Sequence, residues 1–369
     1  MSLLVLTASR CVRSLSVASE CNRCETICPT DAIVIGTNPL PAINFSECVT
    51  CGACSAICPS EALALDDFNF SDFFFKFLDA ENSNIISCKK NVPCISALNA
   101  ENIISLAILK QEIVLDIGYC DECPIASTCY PQIVKNYEEA SYLLEAMQND
   151  AIVKLEKLSY EKTEESNTTD RRDFFNAVSL NTVGKVKRSF ENEVQKASDE
   201  LTEHNLQKTD IALLRQKRVP DKRKLFFTAI KRVQTPSQFH IVDANEVTFT
   251  SQKLMDKESC TACQMCYRLC PTGALTSDIK NSKIDFDPFL CIKCNICHDT
   301  CESNAITVSG SYNVKEFFEP QVQSLIKFNV IRCNECNIIF SANSKEKLCY
   351  RCKAEEEESR ELWGITEEI

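Results

Sequence analysis

Apolar and polar residues alternate over short stretches of this chain, and the stretches repeat. PAINFSE (41–47), VTFTSQK (247–253) and KIDFDPF (283–289) form one group. PTDAIVI (29–35), PSEALAL (59–65), PTGALTS (271–277) and ESNAITV (302–308) form another. Period-two alternation suits short strands, because successive strand side chains point to opposite faces. The unit reads strand, loop, helical turn, strand, and it occurs four times as two pairs. The middle of the chain follows another pattern. AENIISLAILK (100–110) has helical periodicity, and Ile113–Ile117, apolar but for Asp116, reads as a buried strand. Together they predict a β-α-β unit with a buried strand. Phe68, Phe70, Phe73, Phe74, Phe75 and Phe77 crowd residues 66–81. They are expected to form core between the first pair and this unit rather than a docking patch. Asn136–Lys157 and Phe190–Gln207 read as long helices, and TEESNTTD (163–170) as a linker.

Composition narrows the chemistry. The chain has 369 residues, 25 of them cysteine and only 7 glycine, with a formal net charge of −12. The acidic balance argues against nucleic acid as a partner, since phosphate binding needs a basic surface. The scarcity of glycine argues against glycine-rich phosphate loops, and no dinucleotide fingerprint, P-loop or nucleophile elbow occurs. No apolar run approaches the ~18 residues of a membrane span. The Leu3–Leu6 run is too short for a secretory signal. Thr169–Phe175 resembles a twin-arginine export motif but sits mid-chain before polar residues, so it reads as a charged helix start. An odd cysteine count without a secretory signal disfavours a disulfide framework. It points to metal-bound thiolates in a reducing cytoplasm.

Three segments have the spacing C-x2-C-x2-C-x3-C: 48–58, 260–270 and 291–301. This spacing resembles that of bacterial-type two-cluster ferredoxins. Three cysteines wrap one face of a cubane, and the fourth points away to ligate the other cluster. The resemblance covers about 1–66 and 240–312 and implies a pseudo-symmetric α+β dicluster fold in each. It implies one [4Fe-4S] cluster on Cys260, Cys263, Cys266 and Cys301, and another on Cys291, Cys294, Cys297 and Cys270. In the first pair it implies a cluster on Cys48, Cys51, Cys54 and Cys28. The remaining box departs from the pattern, because Ala18 stands where its first cysteine belongs. Cys11 is the nearest spare thiol, and the loop Val12–Glu20 would let it reach back. The expected set is Cys11, Cys21, Cys24 and Cys58. A three-iron cluster or a non-cysteine fourth ligand are the alternatives. Glu302 replaces the usual proline, with little consequence expected.

Two cysteine groups fall outside that resemblance. Cys88, Cys94, Cys120, Cys123 and Cys129 sit at the carboxyl ends of the two middle strands, where open α/β sheets place their sites. Four of the five could bind a fifth iron–sulfur cluster. Zinc, unmetallated thiols or a redox-active Cys120-x-x-Cys123 pair are the other readings. Cys333, Cys336, Cys349 and Cys352 form two C-x2-C knuckles of zinc-ribbon type, with rubredoxin-like iron as the alternative.

The expected class is α+β. Ferredoxin-like modules at 1–66 and 240–312 flank a small α/β unit (67–145) and a helical linker (146–239), with a zinc-ribbon-like tail at 313–369. Arg215–Arg232 holds eight basic residues and one acid. It reads as a solvated face, with a docking strip for an acidic redox partner or the chain's own acidic end as the alternative. Of the histidines His204, His240 and His298, only His298 adjoins a ligand, as a loop side chain or a tuner of its cluster. The expected function is electron transfer without independent catalysis. It would run between a cytoplasmic dehydrogenase or hydrogenase-like subunit and another carrier, using four [4Fe-4S] clusters, a possible fifth, and one zinc. A catalytic or redox-sensing subunit using the middle cysteines, or an assembly protein docking through the zinc ribbon, are the other classes.

Overall fold

The structure, a computed structural model, describes residues 3–80, 83–158, 216–342 and 347–364. In the first module β1 (Leu4–Leu6) is followed by a one-turn helix α1 (Arg23–Thr26), the hairpin β2 (Ile33–Val34) and β3 (Ala42–Ile43), α2 (Ala53–Ile57) and β4 (Leu63–Leu65). The outer strands pair antiparallel with Leu4 opposite Leu65, and the inner ones with Ile33 opposite Ile43. Side chains from this module join a core that continues into the next unit.

That unit begins with α3 (Phe70–Asp79). Asn69 caps it, its Oδ1 accepting from the Ser71 and Asp72 amides at 2.8 and 3.2 Å. Phe73, Phe74, Phe75 and Phe77 are buried in the shared core, as the phenylalanine crowding predicts. Then come β5 (Ile85–Ser87), α4 (Ala100–Lys110), β6 (Glu112–Asp116), α5 (Ala126–Ala146) and β7 (Ile152–Glu156). The three strands are parallel in the order β5-β6-β7. The β-α-β reading thus extends to a second crossover. The helix expected over Asn136–Lys157 is corrected: α5 starts earlier and stops at Ala146, and Ile152–Glu156 is a strand. The α/β unit therefore runs past residue 145 into the span read as linker. The segment 163–170, the twin-arginine-like stretch, the helix over 190–207 and His204 lie outside the described residues.

The described residues continue from 216 into α6 (Asp221–Ile230), and here the reading of the basic run is corrected in part. Lys222 and Arg223 are buried, so the solvated-face reading fails for them, whereas Lys217, Lys231 and Arg232 are exposed. Two Glu61 carboxylate oxygens accept from the Asp221 and Lys222 amides at 2.8 and 2.9 Å. A carboxylate suits a helix amino terminus, where amides lack intrahelical partners. Lys222 Nζ donates to the Ala56 and Cys58 carbonyls. Arg223 pairs with buried Glu101 on α4 and donates to the Phe249, Phe289 and Cys291 carbonyls. One helix thus ties the first module, the α/β unit and the second module together.

The second module repeats the first. After β8 (Ile241–Asp243) come β9 (Lys253–Met255), α7 (Met265–Leu269), β10 (Leu275–Thr276), β11 (Lys283–Phe286), α8 (Ile296–Asp299) and β12 (Ile306–Val308). Lys253 stands opposite Val308, as Leu4 stands opposite Leu65. The following residues correct the boundary set at 312. β13 (Ser311–Asn313) pairs with β8, α9 (Lys315–Phe318) follows, and β14 (Gln323–Lys327) adds a third strand beside β11. The last unit is a hairpin, β15 (Asn329–Arg332) with β16 (Ile339–Ala342), and α10 (Tyr350–Trp363). None of the described helices is long and apolar enough to cross a membrane.

Candidate metal centres

Backbone conformation shapes the ligand loops. The residues before and after the second cysteine of each intact box have positive φ: Thr50 and Gly52, Ala262 and Gln264, Lys293 and Asn295. A left-handed residue on either side turns the loop back on itself. At position 52 only glycine fits, because an added Cβ would lie 2.8 Å from that of Ala97. The departing box lacks this signature, as Asn22 has φ of −129°. All four boxes share a later turn. The third residue after each fourth cysteine (Asp31, Glu61, Gly273, Asn304) has positive φ. The turn aims amides at sulfur: Ala32 N to Cys28 Sγ at 3.2 Å, Ala62 N to Cys58 Sγ at 3.3 Å and Leu275 N to Cys270 Sγ at 3.5 Å.

The cysteines gather as four sets. Cys28, Cys48, Cys51 and Cys54 line one cavity with Leu4, and Cys270, Cys291, Cys294 and Cys297 line another with Lys253. Cys11 lines a third with Cys21, Cys24 and Cys58. Two 3-10 turns, Ala8–Arg10 and Val12–Ser14, flank Cys11. Arg13 folds the loop back by donating to the Pro39, Ser19 and Cys21 carbonyls. Burial pushes the Cys24 thiol up to about 12, and the nearby charges of Cys58, Cys21 and Cys11 push the same way. In the last set, burial raises Cys260, and Cys263 and Cys301 add repulsion. Burial also raises Cys266, as do Cys297, Cys263 and Cys260. Thiols held this close and this dry resist ionisation by themselves. A cationic metal core reverses that preference, so the donor sets fit metal clusters. Of these sixteen cysteines Cys263 alone is exposed.

Sequence reasoning missed two kinds of residue here. A hydroxyl stands two residues after every fourth cysteine: Thr30, Ser60 and Ser303 at 3.8 Å from the sulfurs of Cys28, Cys58 and Cys301, and Thr272 at 3.7 Å from Cys270. The signal was visible in the aligned segments PTDA, PSEA, PTGA and ESNA. The other is Lys253, buried beside Cys297, where its charge favours the thiolate. Its Nζ lies 2.6 Å from His298 Nε2. Burial, then the Lys253 charge, lowers the His298 imidazole to about 4, which leaves it neutral at pH 7 and able to accept from the ammonium. Lys253 rather than His298 is the charged neighbour of this set.

The two modules meet through residues adjoining cysteines. Glu20 N donates to Asp299 Oδ2 at 3.0 Å, and Arg23 Nη2 to the Lys293 carbonyl at 2.5 Å. Arg23 and Lys293 also border a cavity of about 310 Å³ between the modules, together with Ser96 and Lys222.

The middle cysteines lie at the carboxyl ends of β5 and β6. Cys88 directly follows β5, Cys94 precedes a 3-10 turn, and Cys120 begins another. Cys129 is buried on α5. In the tail, the sulfurs of Cys333, Cys336, Cys349 and Cys352 all lie within 4.8 Å of one another, with Cys336 and Cys349 at 3.6 Å. This is a four-cysteine cluster able to hold a metal ion.

Comparison with known families agrees with this geometry. Two family models match, both described as 4Fe-4S dicluster domains, at residues 19–63 and 252–302. The first match begins beyond Cys11 and includes Cys21, Cys24, Cys28 and the whole second box. No curated protein matches this chain.

Proposed function

We propose that this chain, which carries two 4Fe-4S dicluster domains, relays single electrons between a cytoplasmic dehydrogenase or hydrogenase-like subunit and a second redox carrier. A [4Fe-4S] cluster takes up and releases one electron at a potential set by its surroundings. The chain's residues would hold four such clusters, in the sets Cys11/Cys21/Cys24/Cys58, Cys28/Cys48/Cys51/Cys54, Cys270/Cys291/Cys294/Cys297 and Cys260/Cys263/Cys266/Cys301. The observation that carries the relay reading is the direct junction of the modules at Arg23 and Lys293, which adjoin Cys24 and Cys294. That contact brings ligand loops of different modules together, which supports reading the sets as one relay rather than two separate pairs. On this reading the set that holds exposed Cys263 is the one open to a partner.

The C-terminal four cysteines suit zinc. Tetrahedral Zn–S bonds of ~2.3 Å place sulfurs ~3.8 Å apart, close to the 3.6 Å between Cys336 and Cys349. The unit's own core is Cys333, Cys349 and Cys352 with Phe340 and Leu348, too little apolar surface to fold without an ion.

An anaerobic EPR redox titration tests the relay. Several one-electron S = 1/2 signals, unchanged by candidate substrates and reduced together by one partner, are expected. A signal altered by a substrate would establish a catalytic centre instead.

A further inference from the structure

We propose that the cavity between the modules binds a small organic oxyanion of two or more negative charges, carboxylate or phosphate, and that the bound anion lowers the potentials of the two cysteine sets beside it. The binding site stands on this chain's own side chains; the effect on potential rests on the clusters of the relay reading.

The chain is acidic overall, yet this cavity is basic. Arg23 at the start of α1, Lys135 on α5, Lys222 on α6 and Lys293 in the loop of the last cysteine box all line it. Arg23 and Lys293 lie 270 residues apart in the chain, so only the fold assembles this group. Two acids stand near the four cations, and both are engaged. Glu101 pairs with Arg223. Glu139 offsets Lys135 and Lys293 in part, but its oxygens accept from the amide and hydroxyl of Thr248, itself a lining residue, at 2.7 Å. Among the described residues, none of the four cations forms an ion pair.

Their donors are used only in part. Lys222, 7% exposed, donates from Nζ to the Ala56 and Cys58 carbonyls at 3.2 and 2.6 Å. Lys293 Nζ donates to the Ala244 and Val247 carbonyls at 2.8 and 2.5 Å. An ammonium carries three N–H groups, so each keeps a donor to spare. Arg23 engages the Lys293 carbonyl through Nη2 and keeps the rest of its fork. The Lys135 side chain, exposed on α5, has no hydrogen-bond partner among the described residues. A buried ammonium that meets only carbonyls lacks the countercharge that offsets its desolvation. An anion in the cavity supplies that charge through charge-assisted hydrogen bonds.

Volume and wall set the kind of anion. At ~30 Å³ for each water-sized group, about 310 Å³ holds on the order of ten non-hydrogen atoms. Ile57, Phe249 and Ile292 give the wall an apolar part, which suits a short carbon skeleton.

Position links the site to redox state. Arg23 adjoins Cys24, Lys293 adjoins Cys294, and Lys222 holds the Cys58 carbonyl. An anion among these side chains places negative charge beside the Cys11/Cys21/Cys24/Cys58 and Cys270/Cys291/Cys294/Cys297 sets. Adding an electron to either then becomes harder. Linkage requires the reverse as well: reduction weakens anion binding by the same factor.

The test is equilibrium dialysis of the full chain, purified anaerobically, against tricarballylate and against glycerol 3-phosphate at low ionic strength. Saturable binding of one anion per chain is expected. Tricarballylate alone marks carboxylate as the recognised group, and glycerol 3-phosphate alone marks phosphate; binding of neither overturns the site. Lys135→Ala should weaken binding about fivefold, the effect of one exposed charge pair, and Lys135→Glu should weaken it further. Arg232→Ala, an exposed change outside the cavity, should leave it unaltered. Full affinity in Lys135→Glu would place the anion elsewhere and overturn the assignment. The dithionite-reduced chain should bind about tenfold more weakly than the oxidised one, equivalent to about 59 mV for a one-electron centre. Equal affinities would overturn the effect on potential. Dialysis reads binding whether or not the chain passes electrons, so failure of the relay and failure of the site are separate results.

Discussion

Leu4 and Lys253 occupy the same place in two copies of one fold. Each opens one of its module's two paired outer strands, stands opposite the last residue of the other, and lines the cavity of an intact cysteine set. Both are buried, at 3% and 2% exposure. One side chain is aliphatic and the other cationic. A cation beside a cluster stabilises its reduced, more negative state, so the set around Cys291 should have the higher potential of the two. The modules also differ in support. Side chains of the first belong to the core shared with the α/β unit, whereas the second contributes Val247, Phe249, Phe289 and Tyr312 to that core and has besides a separate core built on Leu275, Ile284, Phe286, Ile306 and Ile326. Ligand spacing alone therefore says little about how a cluster is tuned or how independently its module stands.

The largest test of that contrast is at the joint. Arg223→Ala strands Glu101, buried and unpaired, at a cost of about 3–5 kcal/mol. Denaturation monitored by each module's EPR signal should show the first module failing early and the second persisting on its own core. Simultaneous loss would break the comparison.

A second pin crosses the same joint. Burial raises the Glu139 carboxyl to about 7, while its oxygens accept from the Thr248 amide and hydroxyl at 2.7 Å. Unfolded, the group titrates near 4.5. Between those values the folded chain holds a proton that the unfolded chain has lost. Its contribution is therefore full below about 4.5 and lost as pH rises through 7, on the order of 3 kcal/mol. Glu139→Gln should flatten that pH dependence of Tm. An unchanged profile would remove Glu139 from the account.

The exchange of Leu4 and Lys253 addresses tuning directly. Lys253→Leu should lower the potential of the Cys291 set by roughly 50–100 mV, and Leu4→Lys should raise that of the Cys51 set by a similar amount. Equal potentials in the unaltered protein would refute the asymmetry. The smallest effect belongs to the repeated hydroxyls. Ser60→Ala and Ser303→Ala should each lower one potential by about 20–40 mV, in either module alike, because a modest hydrogen bond favours the reduced form.

The cysteine boxes and the β-α-β unit were legible because they depend on local spacing and periodicity. Residues 152–156 were not, since IVKLE continues an apolar-polar pattern that only pairing with β6 resolves as strand. The basic run misled for a related reason. Burial of Lys222 and Arg223 rests on carbonyls and a carboxylate contributed from distant parts of the chain, which no local pattern reports. Lys253 escaped notice because it ends an alternating strand flank, where a lysine ordinarily faces water. Cys11 could be guessed as a spare thiol, but the path that returns it depends on Arg13 grasping three carbonyls.

The crossing of fourth cysteines between boxes has a consequence for biosynthesis. Cys58 lies with the thiols of the first box, and Cys28 with those of the second. Neither donor set exists until both boxes have left the ribosome, so iron delivery must wait for the pair. The nascent chain meanwhile carries open thiols on an unfinished fold. Glu61, three residues beyond Cys58, then caps a helix made some 160 residues later. The first module is thus completed as a metal site long before it is secured in place, and the interval between is when it most needs protection from oxidation.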